Sequence, residues 1–149
     1  MTGEPCESTL CAWTRLLRAH HAAMTRVERA LKAADLPPLA WYDVLLELER
    51  EGEPGLRPFE LERALLLPQY GLSRLLARME AAGLVARWSC PQDGRGQFVA
   101  LTDAGRAMRE RMAPVHAAAV EEAVGARLAA GEAEALAGML GRLAASRED

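Results

Sequence analysis

"LSRLLARMEAAGLVARWSCPQDGRGQFVALTDAG", residues 72–105, runs from a helix-like pattern into a hairpin-like one. At 100° per residue Leu72, Leu75, Leu76 and Met79 fall on one side, while Tyr70, Ser73, Arg74, Ala77 and Arg78 fall on the other. The pattern predicts a helix over 69–82, closed by Gly83. Residues 84–88 and 97–101 then read as two strands around the turn Asp93-Gly94-Arg95-Gly96. An arginine between two glycines is either a solvated turn or a finger that reaches for a partner. The preceding helix is likewise either a solvated basic face or a recognition helix. The second role needs an apolar inner side that locks onto a scaffold. It also needs an outer side of small residues and donors.

Upstream, Pro58 suits the first turn of a short helix over 58–66, and Leu67-Pro68 breaks it. Short helix, tight turn, helix and two-stranded hairpin is the order of a winged helix-turn-helix. The expected fold is mainly α with a small β-hairpin wing. Within it arginine can bond guanine bidentately, and serine or tyrosine can bond phosphate. The first residues of such a helix go deepest, so Gln69, Tyr70, Ser73 and Arg74 rank first, then Arg78. Charge is distributed to match. Between residues 63 and 95 five arginines face only Glu80 and Asp93, a local +3, so the rest of a chain of net charge −3 carries −6. A phosphate-binding surface requires that concentration.

Outside this lobe, Leu10, Trp13, Leu17, His20, Met24, Val27 and Leu31 alternate spacings of three and four along a predicted helix over 9–34, with Ser8 or Thr9 as its cap. Such a narrow stripe packs on other helices, often a partner's. A second helix over 39–50 carries Trp41, Val44, Leu45 and Leu48, and ends at Gly52-Glu53-Pro54-Gly55. After the hairpin, Thr102 is a good N-cap for a helix over 103–127 with a bend at Pro114, and a last helix spans 132–145.

The 149 residues suit one domain, and half of them are hydrophobic. No apolar run reaches membrane-spanning length, and the N-terminus lacks a signal-peptide pattern, so a cytoplasmic protein is expected. Cys6, Cys11 and Cys90 form neither a metal-ligand spacing nor an even set. No nucleophile–base arrangement, phosphate loop or ligand-spaced cluster is legible, which argues against an enzyme and against a bound cofactor or metal.

These residues resemble the MarR family of bacterial transcription regulators. Asp93-x-Arg95, five residues on, Leu101-Thr102-x-x-Gly105 matches the family's wing signature in type and spacing. Residues 72–80 running into Gly83-Leu84-Val85-x-Arg87 look like its recognition helix and first wing strand. Ala77 departs from the acidic residue often found there. The resemblance implies one MarR-like domain, with dimerisation helices at 9–35 and 103–146 and a winged lobe at 39–101. It implies a homodimer on a pseudo-palindromic double-stranded DNA operator, acting as a repressor. Recognition helices would lie in the major groove. Arg95 would enter the minor groove, with Asp93 positioning it; narrow minor grooves attract arginine.

The resemblance also implies a signal. In many relatives a small phenolic or aromatic acid binds between the dimer helices and the winged lobe. Trp13, His20, Met24, Trp41 and Tyr42 are the candidates for that role. His20 could instead be a hydrogen-bonded core histidine, and the tryptophans plain core. Other relatives sense oxidants, and Cys11, one turn before Arg15, is the candidate thiol. A winged-helix module that binds protein is a further alternative.

Overall fold

The computed structural model describes residues 3–68, 70–89 and 96–145. Among these residues six helices and one antiparallel hairpin follow in order: α1 (Glu7–Ala33), α2 (Leu39–Glu51), α3 (Pro58–Ala64), α4 (Leu72–Ala81), β1 (Val85–Ser89), β2 (Gln97–Leu101), α5 (Asp103–Ala123) and α6 (Glu132–Ala144). A single 3-10 turn, Gly125–Arg127, precedes α6. The chain divides into two compact units. One comprises residues up to Arg29 together with those from Ala117 onward, and the other is Ala30–His116.

The second unit holds the core. Leu31, Val44, Leu45, Leu48, Leu61, Leu76, Met79, Val85, Val99 and Met112 are almost wholly enclosed. Burying each such side chain contributes roughly 1.5–3 kcal/mol. α2 packs on α3 and β2, α3 on α4 and β2, and α4 on β1. The hairpin pairs Val85 with Leu101, Arg87 with Val99 and Trp88 with Phe98. Leu56 adds a one-residue bridge to Val99, exchanging both backbone bonds with it (2.9 and 2.7 Å).

Thr102 joins wing to helix. Its hydroxyl accepts the N–H of Gly105 (3.0 Å), capping α5, and donates to the carbonyl of Gly83 (2.6 Å). A Cβ at Gly105 would land on the Leu84 carbonyl. That approach is the physical reason for Thr-x-x-Gly at this corner. At this same corner, the C-terminal end of α4, Gly83 (φ +77°) passes its N–H to Glu80 and the next N–H, from Leu84, to Met79, the double closure of a Schellman cap.

In the first unit only Val27 and Ala119 are buried among the described residues. α6 buries none of its side chains. Leu10, Trp13 and Leu17 on α1, Val120 and Val124 at and just beyond the end of α5, and Met139 and Leu143 on α6 stand exposed.

Several boundaries differ from the sequence-based expectation. α1 starts at Glu7, so its N-cap is Cys6, whose carbonyl accepts the N–H of Leu10 (3.1 Å). Ser8 and Thr9, expected as caps, lie inside the helix. α3 stops at Ala64 instead of running to 66. α4 begins at Leu72 instead of 69, because Gly71 at φ +79° is left-handed and cannot continue a right-handed helix. Tyr70 therefore precedes the helix. α5 ends at Ala123 and gives way to the 3-10 turn at Gly125, a poor helix former, while Pro114 lies inside the helix.

Candidate nucleic-acid interface

α4 divides as its sequence pattern predicts. Leu72, Leu75, Leu76 and Met79 are buried, and Ser73, Arg74, Ala77 and Arg78 are exposed. Tyr70, just before the helix, is fully exposed. Gln69 lies outside the described residues. α4 carries no side-chain N-cap, and the positive end of its dipole sits among Tyr70, Ser73 and Arg74. Anionic groups favour such an end.

Two side chains hold this helix from outside it. Arg87 on β1 donates from Nη2 to the Ser73 carbonyl (3.3 Å), and its Nε lies 3.9 Å from Glu80 Oε2. Arg87 is half-buried, so it acts as a strut from wing to helix instead of a free cation. Asp43 on α2 accepts the N–H of Leu67, in the turn before α4, at 2.8 Å.

The wing is braced at its base. Trp88 and Phe98, opposite each other across the hairpin, stack with ring centroids 4.9 Å apart. Trp88 Nε1 donates to the Pro54 carbonyl (3.0 Å). On the other element, the Arg57 guanidinium stands 5.2 Å from the Phe98 ring centroid. A Cβ at Gly96 would meet that guanidinium at 3.3 Å, so glycine there leaves it room. Asp93 and Arg95, the expected wing-tip pair, lie outside the described residues, as does Cys90. β1 ends at Ser89 and β2 starts at Gln97, so the strands are joined by residues 90–96, close to the connection the sequence pattern implied.

Arg57, Asp43 and Phe59 were missed by sequence reasoning. Phe59 is half-exposed on α3, with the Arg63 guanidinium 5.8 Å from its ring centroid. The pattern Pro58-Phe59-x-x-x-Arg63 was the available signal for that pair.

The comparisons with known proteins bear on this arrangement. A family model described as the MarR family matches residues 34–96. A MarR family transcriptional regulator from Streptomyces coelicolor, solved in complex with DNA, superposes with a TM-score of 0.87 at 30% identity, covering 97% of this chain and 90% of that one. The chain belongs to the MarR family. AbsC, another MarR family regulator from Streptomyces coelicolor, gives a TM-score of 0.81 at 30% identity over 96% of each chain. An uncharacterized HTH-type transcriptional regulator from Bacillus cereus is 35% identical over 102 residues, 68% of this chain and 65% of that protein. The match thus spans just under two thirds of the length of that curated relative. MarR proteins are transcriptional regulators and not enzymes.

The candidate signal residues of this MarR chain are placed as follows. On α1, Trp13 is 60% exposed, His20 is exposed and Met24 is half-buried. On α2, Trp41 is half-buried and Tyr42 is buried, stacked on His116 of α5 (centroids 4.5 Å, 29° between planes). Burial lowers the His116 pKa from the usual histidine range, favouring the neutral ring. Cys11 is half-buried and free. The perturbed thiol is a different one: Cys6, at the N-cap of α1, is lowered to about 7 by hydrogen bonds with Ser8 Oγ (3.0 Å) and Thr9 Oγ1 (3.1 Å). The spacing Cys6-x-Ser8-Thr9 was the missed signal. Among the described residues no group of His, Cys, Asp and Glu could hold a metal ion, and no helix is long and apolar enough to cross a membrane.

Proposed function

We propose that this MarR-family chain is a sequence-specific DNA-binding regulator that represses transcription as a homodimer. The observation that carries the reading is the division of α4: four apolar side chains turned inward, with Ser73, Arg74, Ala77 and Arg78 turned outward. Tyr70, Ser73, Arg74 and Arg78, with Gln69, enter the major groove. Arg95, positioned by Asp93, enters the minor groove. The dimer reading is supported by the first unit, whose exposed Leu10, Trp13, Leu17, Met139 and Leu143 are more apolar surface than a lone unit of its size keeps in water. A second copy of the same surface is the simplest cover. Cytoplasmic residence follows from DNA as the partner.

The test is a salt titration of binding to a duplex selected with the wild-type protein from a randomised pool, against mixed-sequence DNA. Affinity falls steeply as salt rises, and Arg95→Ala flattens that slope. Affinity indifferent to salt contradicts the reading and favours a protein-binding module.

Release by a small aromatic acid completes the proposal. It is supported by the residue types at Trp41 and at the Tyr42–His116 stack, with Trp13, His20 and Met24 as the remaining members. A panel of aromatic acids should quench tryptophan fluorescence saturably and lower DNA affinity. Quenching that Trp41→Phe leaves intact moves the site elsewhere. The oxidant-sensing alternative rests on Cys11, and Cys11→Ser retaining full peroxide sensitivity removes it.

A further inference from the structure

Asp43 is the one charged residue that the fold buries among the described residues, at 6% exposure. It sits on α2 between Tyr42 and Val44, both buried. A carboxylate is costly to enclose and gains little stability over an apolar side chain of similar size. Its position is therefore informative. Oδ2 accepts the N–H of Leu67 at 2.8 Å, across 24 positions of sequence.

Leu67 lies in the connection between α3 and α4, which has few other anchors among the described residues. Leu65 closes α3 by donating to the Leu61 carbonyl. Leu66 is 83% exposed, and Tyr70 is fully exposed. Pro68 has no N–H to donate and biases Leu67 towards an extended conformation. The Leu67 N–H is thus the donor through which α2 can grip the turn. Four residues on, Gly71 opens α4.

We propose that Asp43 is a positioning residue for DNA reading. By holding Leu67 it fixes the height and angle at which the turn launches α4, and so where Tyr70, Ser73 and Arg74 meet the base edges. The inference rests on the reading of α4 as the recognition helix. Without the carboxylate the Leu67 N–H is left unpaired, and the turn samples other arrangements. Base contacts demand one geometry, whereas phosphate attraction tolerates many. Specific binding therefore suffers more than non-specific binding.

The experiment compares the full chain with Asp43→Ala, Asp43→Asn and Arg74→Ala. Each is titrated at one low salt concentration with the selected duplex and with mixed-sequence DNA of equal length. Hydrogen exchange at the Leu67 amide is followed in the free proteins. Asp43→Ala is expected to lose about tenfold in affinity for the selected duplex, the equivalent of one unpaired buried donor. Its binding to mixed-sequence DNA stays near wild type. Asp43→Asn keeps an acceptor oxygen and retains both specific affinity and Leu67 protection. If Asp43→Ala binds the selected duplex like wild type while Arg74→Ala is weakened, the α4 reading stands and this proposal falls. If neither variant is weakened, the α4 reading falls and takes the proposal with it. Should Asp43→Ala fail to fold, the other arms decide: a folded Asp43→Asn that loses specific affinity, or a Leu67 amide that exchanges freely in wild type, overturns the proposal.

Discussion

The two compact units solve the same problem in opposite ways. In Ala30–His116 the apolar side chains of α2, α3, α4 and the hairpin cover one another, and polar side chains tie the elements together. Asp43 holds a turn, and Arg109 on α5 grips Glu49 on α2 through Nη2 (3.1 Å to Oε1) and Nε. In the other unit the apolar side chains follow a helical period just as regular, yet Trp13 and Leu143 stay 60% and 70% exposed. Periodicity says that a face wants cover. It does not say whether the cover comes from the same chain.

The strongest test of this contrast is in the core. Leu76, 1% exposed, lies on the inner face of α4. Leu76→Ala is expected to cost about 3 kcal/mol in chemical denaturation, from lost burial plus a residual cavity. A loss below 1 kcal/mol would mean that the inner face of α4 is not a packed one. On the other unit, Leu143→Glu places a charge on the exposed face of α6. It should weaken self-association about tenfold or more, read by sedimentation across a concentration series. A protein that stays monomeric at every concentration, or a variant that associates like wild type, breaks the contrast. Between core and surface, Thr102→Ala removes both the α5 cap and the bond to the Gly83 carbonyl, and about 1–2 kcal/mol should be lost. The smallest effect leaves stability unchanged. The thiolate is the reactive form of Cys6, and its lowered pKa means that it is populated above about pH 7. Iodoacetamide labelling at Cys6 should therefore rise as pH increases through about 7, and Ser8→Ala should shift the rise upward.

Much of the fold was legible in the sequence because its signals are local. The Leu72–Met79 face, the Gly83 closure and the Thr102 cap each depend on residues within a few positions. The wing motif added Gly105, whose necessity becomes physical only when the Leu84 carbonyl is seen against it. What was missed depends on distant partners. Nothing near Asp43 announces that it will accept a bond from Leu67, and nothing near Arg57 announces Phe98. The end of α3 failed for the same reason: Leu65-Leu66-Leu67 continues a helical pattern, but the Leu67 N–H is taken by Asp43. The start of α4 was readable in principle, because a glycine at position 71 marked a break that leucine periodicity hid. At the head of α1, two strong capping residues lie in the first turn of a helix whose cap is Cys6.

The central claim is that the outer face of α4 reads bases. The most direct measurement repeats duplex selection with Arg74→Ala and compares the recovered sequences and affinities with those of the wild type. The account predicts relaxed preference at one position in each half-site, with a loss of about 1–3 kcal/mol on the wild-type duplex. Recovery of the same sequence at the same affinity would contradict it.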